Sequence, residues 1–137
     1  MTTTVSTVPA VGEERSLVVV EDLTRTRIVQ YAGVSGDYNP LHTDEVFARE
    51  AAGYPGVFAH GMLTMGLTSR VITEWVGEER LTEFGVRFAA QVWPGDTLTA
   101  TATVESVDGD LVRFAITTVN QKDEAVIKGW ASARFTD

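Results

Sequence analysis

The chain has 137 residues, enough for one domain with one core, and its 44% apolar and 22% charged residues are typical of a folded globular protein. Its 11 basic and 19 acidic side chains give a net charge of −8, which is the wrong sign for binding nucleic acid. Because the chain has no cysteine, disulfides, thiolate nucleophiles and cysteine-ligated metal sites are excluded, and carboxylates, histidines and hydroxyls must supply any chemistry.

The N-terminal residues are predicted to form a flexible tail (1–14) ahead of a single domain (15–137). Residues 1–12 contain neither Lys nor Arg and no long apolar block, so they lack both parts of a secretory signal. No apolar run approaches the roughly 18 residues that cross a bilayer. These features predict a cytoplasmic protein without a membrane partner.

The first predicted helix covers residues 24–35. Thr24 suits its N-cap, and Gly36 suits the left-handed position at its exit. The loop that follows is too rich in Pro and Gly for continuous regular structure, although Thr43 or Asp44 suits the cap of a short helix that runs to residue 50.

A second helix is predicted to begin near Gly61, in the segment GMLTMGLTSRVITEWVG. Apolar side chains cover most of its circumference. We therefore expect this helix to be largely enclosed, with Met62, Met65 and Trp75 in the core.

From Leu81 onward apolar and polar residues alternate, which predicts four strands with turns between them. The Asp-Gly pair at 108–109 indicates a tight hairpin. A further strand near residues 16–20 adds an edge. The predicted fold class is α+β, with an antiparallel sheet of about five strands wrapped around one long central helix.

The hexapeptide DYNPLH places Asp37 and His42 on one compact turn. A carboxylate beside an imidazole suits general acid–base catalysis, which contributes about 10²–10⁴-fold. Asp and Asn before Pro also form ordinary turns, so a structural turn is the alternative. A metal site with both histidines and Asp37 or Asp44 is set aside, since His42 and His60 lack the i, i+4 spacing of a helical ligand pair.

The junction His60-Gly61 is a second candidate feature. Free N–H groups at the start of a helix stabilise negative charge on a carbonyl oxygen, and a glycine lets that oxygen approach closely. Alternatively, Gly61 relieves crowding there and His60 is a structural histidine. Ser69 lies roughly two helical turns further on. Its hydroxyl is expected to form a hydrogen bond that orients Asp37 or the substrate, and the alternative is an inert hydroxyl inside the helix.

Three segments, YAGVSGDYNPLHTDEVFA, FAHGMLTMG and VRFAAQVWPGD, resemble the MaoC-like family of (R)-specific enoyl-thioester hydratases and dehydratases. The resemblance runs from about residue 23 to 135 and implies the hot dog fold. Within the family the chain looks most like the catalytic, B-type subunit of the (3R)-hydroxyacyl-ACP dehydratases of mycolic-acid synthesis. The joint pattern YAGVSGD, NP-x-H and AHGMLTMG carries that finer resemblance.

The resemblance also implies roles for individual residues. Asp37 and His42 match the catalytic pair that activates water and moves the proton, and Gly61 matches the residue whose N–H binds the thioester oxygen. Asn39 matches the residue beside the catalytic turn. Ser69 matches a serine that supports the carboxylate in some members.

The implied reaction is reversible, cofactor-free interconversion of trans-2-enoyl and (3R)-3-hydroxyacyl thioesters of coenzyme A or acyl carrier protein, in fatty acid or related acyl metabolism. It needs no metal or nicotinamide. A dimer is implied, either of identical chains or with a related non-catalytic hot dog subunit. The alternatives are a hot dog thioesterase, for which Glu74 is the one acidic candidate on the second helix, and a non-catalytic thioester-binding subunit.

Overall fold

The structure is a computed structural model that describes residues 4–136, so residues 1–3 of the predicted tail lie outside it. Five strands form one antiparallel sheet in the order β1-β3-β4-β5-β2. The strands are β1 (Glu14–Val20), β2 (Leu81–Phe88), β3 (Leu98–Asp108), β4 (Leu111–Val119) and β5 (Ala125–Arg134). The helices are α1 (Arg25–Ser35) and α2 (Gly61–Val76). The predicted class and sheet are confirmed.

Local capping signals set the ends of α1. The Thr24 hydroxyl accepts the Arg27 N–H at 3.1 Å, and Gly36 adopts φ 77° while its N–H donates to the Ala32 carbonyl at 3.0 Å. A left-handed residue at this position costs least when it is glycine. The chain therefore leaves α1 at a fixed angle, directly before Asp37.

The long helix α2 lies against β1, β2, β3 and β5 and supplies much of the core. Its side chains Val71, Ile72, Trp75 and Val76 are each 3% exposed or less. Full burial of an apolar side chain of this size contributes about 1.5–3 kcal/mol of transfer free energy.

The expectation that α2 is largely enclosed is wrong along one stripe. Met62 is 58% exposed, and Gly66 and Arg70, which follow at intervals of four residues, are exposed as well. Residues four apart share a helix face. The sheet therefore covers one side of α2, and the Met62 side is left open within the described chain.

The described part of the tail is attached to the domain. The Val5 N–H donates to the Trp75 carbonyl at 2.9 Å, and the Gly12 N–H donates to the Val104 carbonyl at 2.9 Å. The sequence predicts a loose segment here, because it contains no pattern that reports such long-range bonds. The division at residues 14 and 15 stays a prediction.

Within residues 4–136, no helix combines the length and the apolar composition that a membrane span requires. The cytoplasmic location stays a prediction.

Candidate active site

Asn39 shapes the turn between α1 and the first histidine. Residues Pro40–His42 form a single 3-10 turn, and the Asn39 side-chain oxygen accepts the Leu41 N–H at 3.0 Å. The Asn39 main-chain carbonyl accepts the His42 N–H at 3.0 Å. Asn39 thus caps the turn that carries His42, and its role in the reaction stays a prediction.

Asp37 is exposed and held by short-range bonds on both sides. Its N–H donates to the Ser35 hydroxyl at 3.1 Å, and its carboxylate accepts the Asn39 N–H at 3.2 Å. One carboxylate oxygen engages this turn, and the remaining acceptor capacity of the group is available to a ligand.

His42 is 8% exposed, and its ring is fixed by a main-chain partner. The Nδ1 atom lies 2.7 Å from the Phe58 carbonyl oxygen. Because a carbonyl only accepts, the proton of the neutral ring is assigned to Nδ1. The Nε2 atom therefore carries the lone pair and is the atom able to act as a base.

His60 lies beneath His42. It is 1% exposed, its ring stacks on the His42 ring at a centroid distance of 3.9 Å, and Tyr31 meets its edge at 4.8 Å. Burial lowers the pKa of His60 from 6.5, partly opposed by the hydrogen bond to the Asp37 main chain. His60 is therefore a neutral ring between the Asp37 turn and α2.

The three side chains form one cluster. One carboxylate oxygen of Asp37 and one ring nitrogen each of His42 and His60 lie within 4.8 Å of one another. That spacing suits a single water molecule held between the carboxylate and a ring nitrogen. The structure therefore brings together the two residues that the sequence pairs.

The same geometry does not favour a metal ion. The two imidazole planes are 26° apart and stacked, so their in-plane lone pairs run side by side rather than converge. Acid–base chemistry is the better use of this cluster.

Gly61 begins α2 next to His60. The N–H groups of Gly61 and Met62 have no hydrogen-bond acceptor among residues 4–136, as expected for the first turn of a helix. A Cβ added at Gly61 would lie 3.0 Å from the Phe88 ring. Glycine therefore lets the start of α2 pack closely against the Phe88 ring.

A cavity of about 290 Å³ opens at Gly61, and neither Asp37 nor His42 is among the residues that line it. Its walls come from the start of α2, the end of β2 and the segment that follows. They are Phe58, Ala59, Gly61, Thr64, Phe88, Ala89, Ala90, Gln91, Val92 and Val126.

Ser69 does not join the cluster. Its hydroxyl donates to the Gly66 carbonyl at 2.6 Å, within α2, and forms no hydrogen bond with Asp37 in the described chain. Serines inside helices often bond back to a carbonyl in the preceding turn. The suggested support of Asp37 is therefore not made, and a contact of Ser69 with substrate stays a prediction.

Sequence reasoning missed three residues of the site. Phe58 holds His42 through its main-chain carbonyl. Because every residue has such a carbonyl, the identity of residue 58 does not predict this contact. Phe88 faces Gly61 from another element. Tyr31 meets His60, and its place six residues before Asp37 on a helix that ends at the site was the one available signal.

The chain belongs to the family described as "MaoC like domain", which it matches over residues 6–126. Its five-stranded sheet around a central helix is the hot dog fold of the MaoC-like hydratases. An unliganded R-hydratase of Pseudomonas aeruginosa, PhaJ1, superposes with a TM-score of 0.79 at 27% identity, covering 92% of this chain and 81% of that one.

Two curated relatives have related names. Enoyl-CoA hydratase 2 of Arabidopsis thaliana is 32% identical over 127 residues, which is 90% of this chain and 40% of that protein. The 3-hydroxyacyl-thioester dehydratase Y of Mycobacterium tuberculosis is 40% identical over 68 residues, which is 47% of this chain and 23% of that protein. The chain spans less than half the length of both relatives.

Proposed function

We propose that this chain is an (R)-specific hydratase/dehydratase that interconverts trans-2-enoyl and (3R)-3-hydroxyacyl thioesters. The cluster carries the proposal: an exposed carboxylate lies within 4.8 Å of a ring nitrogen, beside a helix whose first N–H groups have no acceptor among the described residues. Membership of the MaoC-like family and the names of its relatives support this reaction.

In the proposed mechanism, Asp37 and His42 hold one water between them. His42 Nε2 accepts a proton from the water as its oxygen bonds to C3 of the enoyl thioester. The electron pair of the C2–C3 double bond shifts toward the thioester carbonyl, whose developing charge is stabilised by the N–H of Gly61. The electron pair then returns to C2 as this carbon takes up the proton that His42 Nε2 removed from the water, so the imidazole is neutral again and the elements of water have been added across the double bond.

The lining of the cavity supports one orientation of the substrate. With the C1 oxygen at Gly61 and C3 near Asp37 and His42, the sulfur lies on the other side of C1. The cavity at Gly61 is lined by neither Asp37 nor His42, so we assign it to the thiol-bearing arm of the carrier. Gln91 lines it, and the Gln91 side-chain amide makes no hydrogen bond to any described residue, which leaves it available to an amide of the arm.

A Gly61→Ala variant is expected to lose about tenfold to a hundredfold in kcat, less than the 10²–10³ that follows outright removal of an oxyanion donor. Alanine keeps the N–H, but its Cβ meets the Phe88 ring at 3.0 Å and shifts the donor or the ring. Steady-state kinetics check this. The control is Gly33→Ala, because a Cβ at that glycine of α1 meets nothing within 4 Å. Equal rates for the two variants would contradict a role for the close packing of Gly61 against Phe88.

The proposal includes a second hot dog subunit that covers the open side of the site. Strand β2 is an end strand of the sheet, and Tyr38, Met62 and Phe88 around the site are 69%, 58% and 54% exposed. Large exposed apolar side chains near one site are typical of interaction surfaces. We propose an identical chain as the partner, with a related non-catalytic subunit as the alternative.

The reaction and the partner are tested together by adding crotonyl-CoA to the purified chain. Loss of the enoyl absorbance, a product with (3R) configuration and sedimentation as a dimer are expected. A folded chain that releases free thiol instead would be a thioesterase. A folded chain that stays monomeric and inactive until a second hot dog protein is added would contradict the identical partner.

The thioesterase alternative has weak support in the fold. Glu74 lies thirteen residues along α2 from Gly61, about 20 Å at 1.5 Å per residue. Its carboxylate accepts a hydrogen bond from Arg70 at 3.0 Å. A carboxylate so far from the first turn of α2 cannot act on a carbonyl bound there.

A further inference from the structure

His60 makes the one long-range hydrogen bond that the structure describes for Asp37. The His60 Nε2 atom lies 3.1 Å from the Asp37 carbonyl oxygen, across 23 positions of sequence. The other hydrogen bonds of Asp37 reach only Ser35 and Asn39, two residues to either side. Asp37 lies in no helix or strand. Hydrogen bonds within its own turn therefore do not fix the orientation of that turn relative to α2.

The His60 ring also contacts His42 and leads directly into Gly61. Its stacking distance to the His42 ring is 3.9 Å, with an angle of 26° between the planes. The buried His60 side chain therefore contacts the turn that carries the carboxylate and the ring of the base. It also directly precedes the residue that begins the helix and supplies the N–H donor.

The hydrogen bonding of His60 indicates its protonation state. The Asp37 carbonyl can only accept, so the ring proton is on Nε2, and the buried Nδ1 atom has no hydrogen-bond partner in the described chain. A charged ring would bury a second N–H without an acceptor and would face the His42 ring closely. Burial accordingly lowers the pKa of His60.

We propose that His60 is a positioning residue that stays neutral and, through its Nε2–H bond to the Asp37 carbonyl, holds the Asp37 carboxylate beside His42. This inference rests on the proposed function for its kinetic consequence, because it assumes that Asp37 and His42 act on one water. It adds a defined task to a histidine that the mechanism itself does not use as acid or base.

Two variants separate the hydrogen bond from the ring contact. His60→Phe keeps an aromatic ring over His42 but has no donor. His60→Gln loses the ring but keeps an amide N–H at a similar distance from the main chain. We expect His60→Phe to lower kcat about 10²-fold, since a displacement of about 1 Å can cost that much. KM should change little. His60→Gln should restore most of the lost kcat.

A second readout does not depend on turnover. The carbonyl ¹³C resonance of Asp37 is expected to shift in His60→Phe and to return toward its original position in His60→Gln. Thermal unfolding of both variants, measured near pH 8, checks that they fold. At that pH His60 is neutral in the folded and unfolded chains, so its replacement removes no proton-linked stability.

The outcomes are distinct. A His60→Phe variant with unchanged kcat and an unchanged Asp37 carbonyl resonance would overturn the proposal. So would a His60→Gln variant as slow as His60→Phe, because a restored N–H donor would then fail to restore the rate. If the unaltered chain does not hydrate crotonyl-CoA, the proposed function fails, and the carbonyl resonance still decides whether His60 positions Asp37.

Discussion

The Asp37→Asn variant is expected to hydrate crotonyl-CoA about 10²–10⁴-fold more slowly than the unaltered chain, the range that general acid–base groups contribute. Asparagine has nearly the same shape, and its side-chain oxygen can still accept the Asn39 N–H that Asp37 accepts at 3.2 Å. What is lost is the negative charge next to the histidine pair. That charge orients the water and stabilises the imidazolium formed when His42 takes its proton.

The matched control is Asp108→Asn. Asp108 is exposed at the hairpin between β3 and β4, and Asn-Gly forms the same kind of tight turn as Asp-Gly. Both variants remove one negative charge, so a general effect of net charge would slow both. An Asp37→Asn variant that retains kcat within about threefold would remove Asp37 from the mechanism, since an acid–base group contributes at least about 10²-fold.

The parts of the fold that sequence predicts well are those with local causes. The ends of α1 follow from Thr24 and Gly36, which act within three or four residues of their partners. The hairpin at 108–109 follows from the Asp-Gly pair, with Asp108 paired to Leu111. Alternating apolar residues predict the strands, because one face of the sheet must cover α2.

The open stripe on α2 shows where such reasoning ends. An apolar residue such as Met62 signals burial, but the pattern does not distinguish burial within the chain from burial against another subunit. Met62 is 58% exposed because the single sheet covers the opposite side of the helix. The sequence therefore predicts that this face of α2 is apolar, but it does not predict whether the chain itself or another subunit covers it.

The candidate site divides in the same way. Asp37 and His42 are close because they are only five positions apart and the chain between them includes a 3-10 turn, so the motif alone places them together. His60 is eighteen residues from His42, and its position beneath that ring depends on the intervening loop and on the start of α2. Ser69 was expected near Asp37 from helical spacing, but a bond within its own helix satisfies its hydroxyl.

Replacing His42 by asparagine is expected to cost about as much as the change at Asp37, about 10²–10⁴-fold in kcat. The asparagine amide nitrogen takes the approximate place of Nδ1, so the bond to the Phe58 carbonyl, 2.7 Å long in the unaltered chain, can persist. No basic atom replaces Nε2. The variant therefore removes the proton acceptor while preserving the contact that orients the side chain, and thermal unfolding checks the fold.

The Asp37→Asn/His42→Asn double variant distinguishes joint action from independent action. If both side chains act on one water, removing either abolishes the same step, and the double variant should be about as slow as the slower single variant. If they act in separate steps, the two losses should multiply. Steady-state kcat values for the four proteins decide between these results. Multiplied losses in kcat would contradict the shared water. A double variant with the same kcat as the slower single variant would instead place the carboxylate and the imidazole in a single proton-transfer unit.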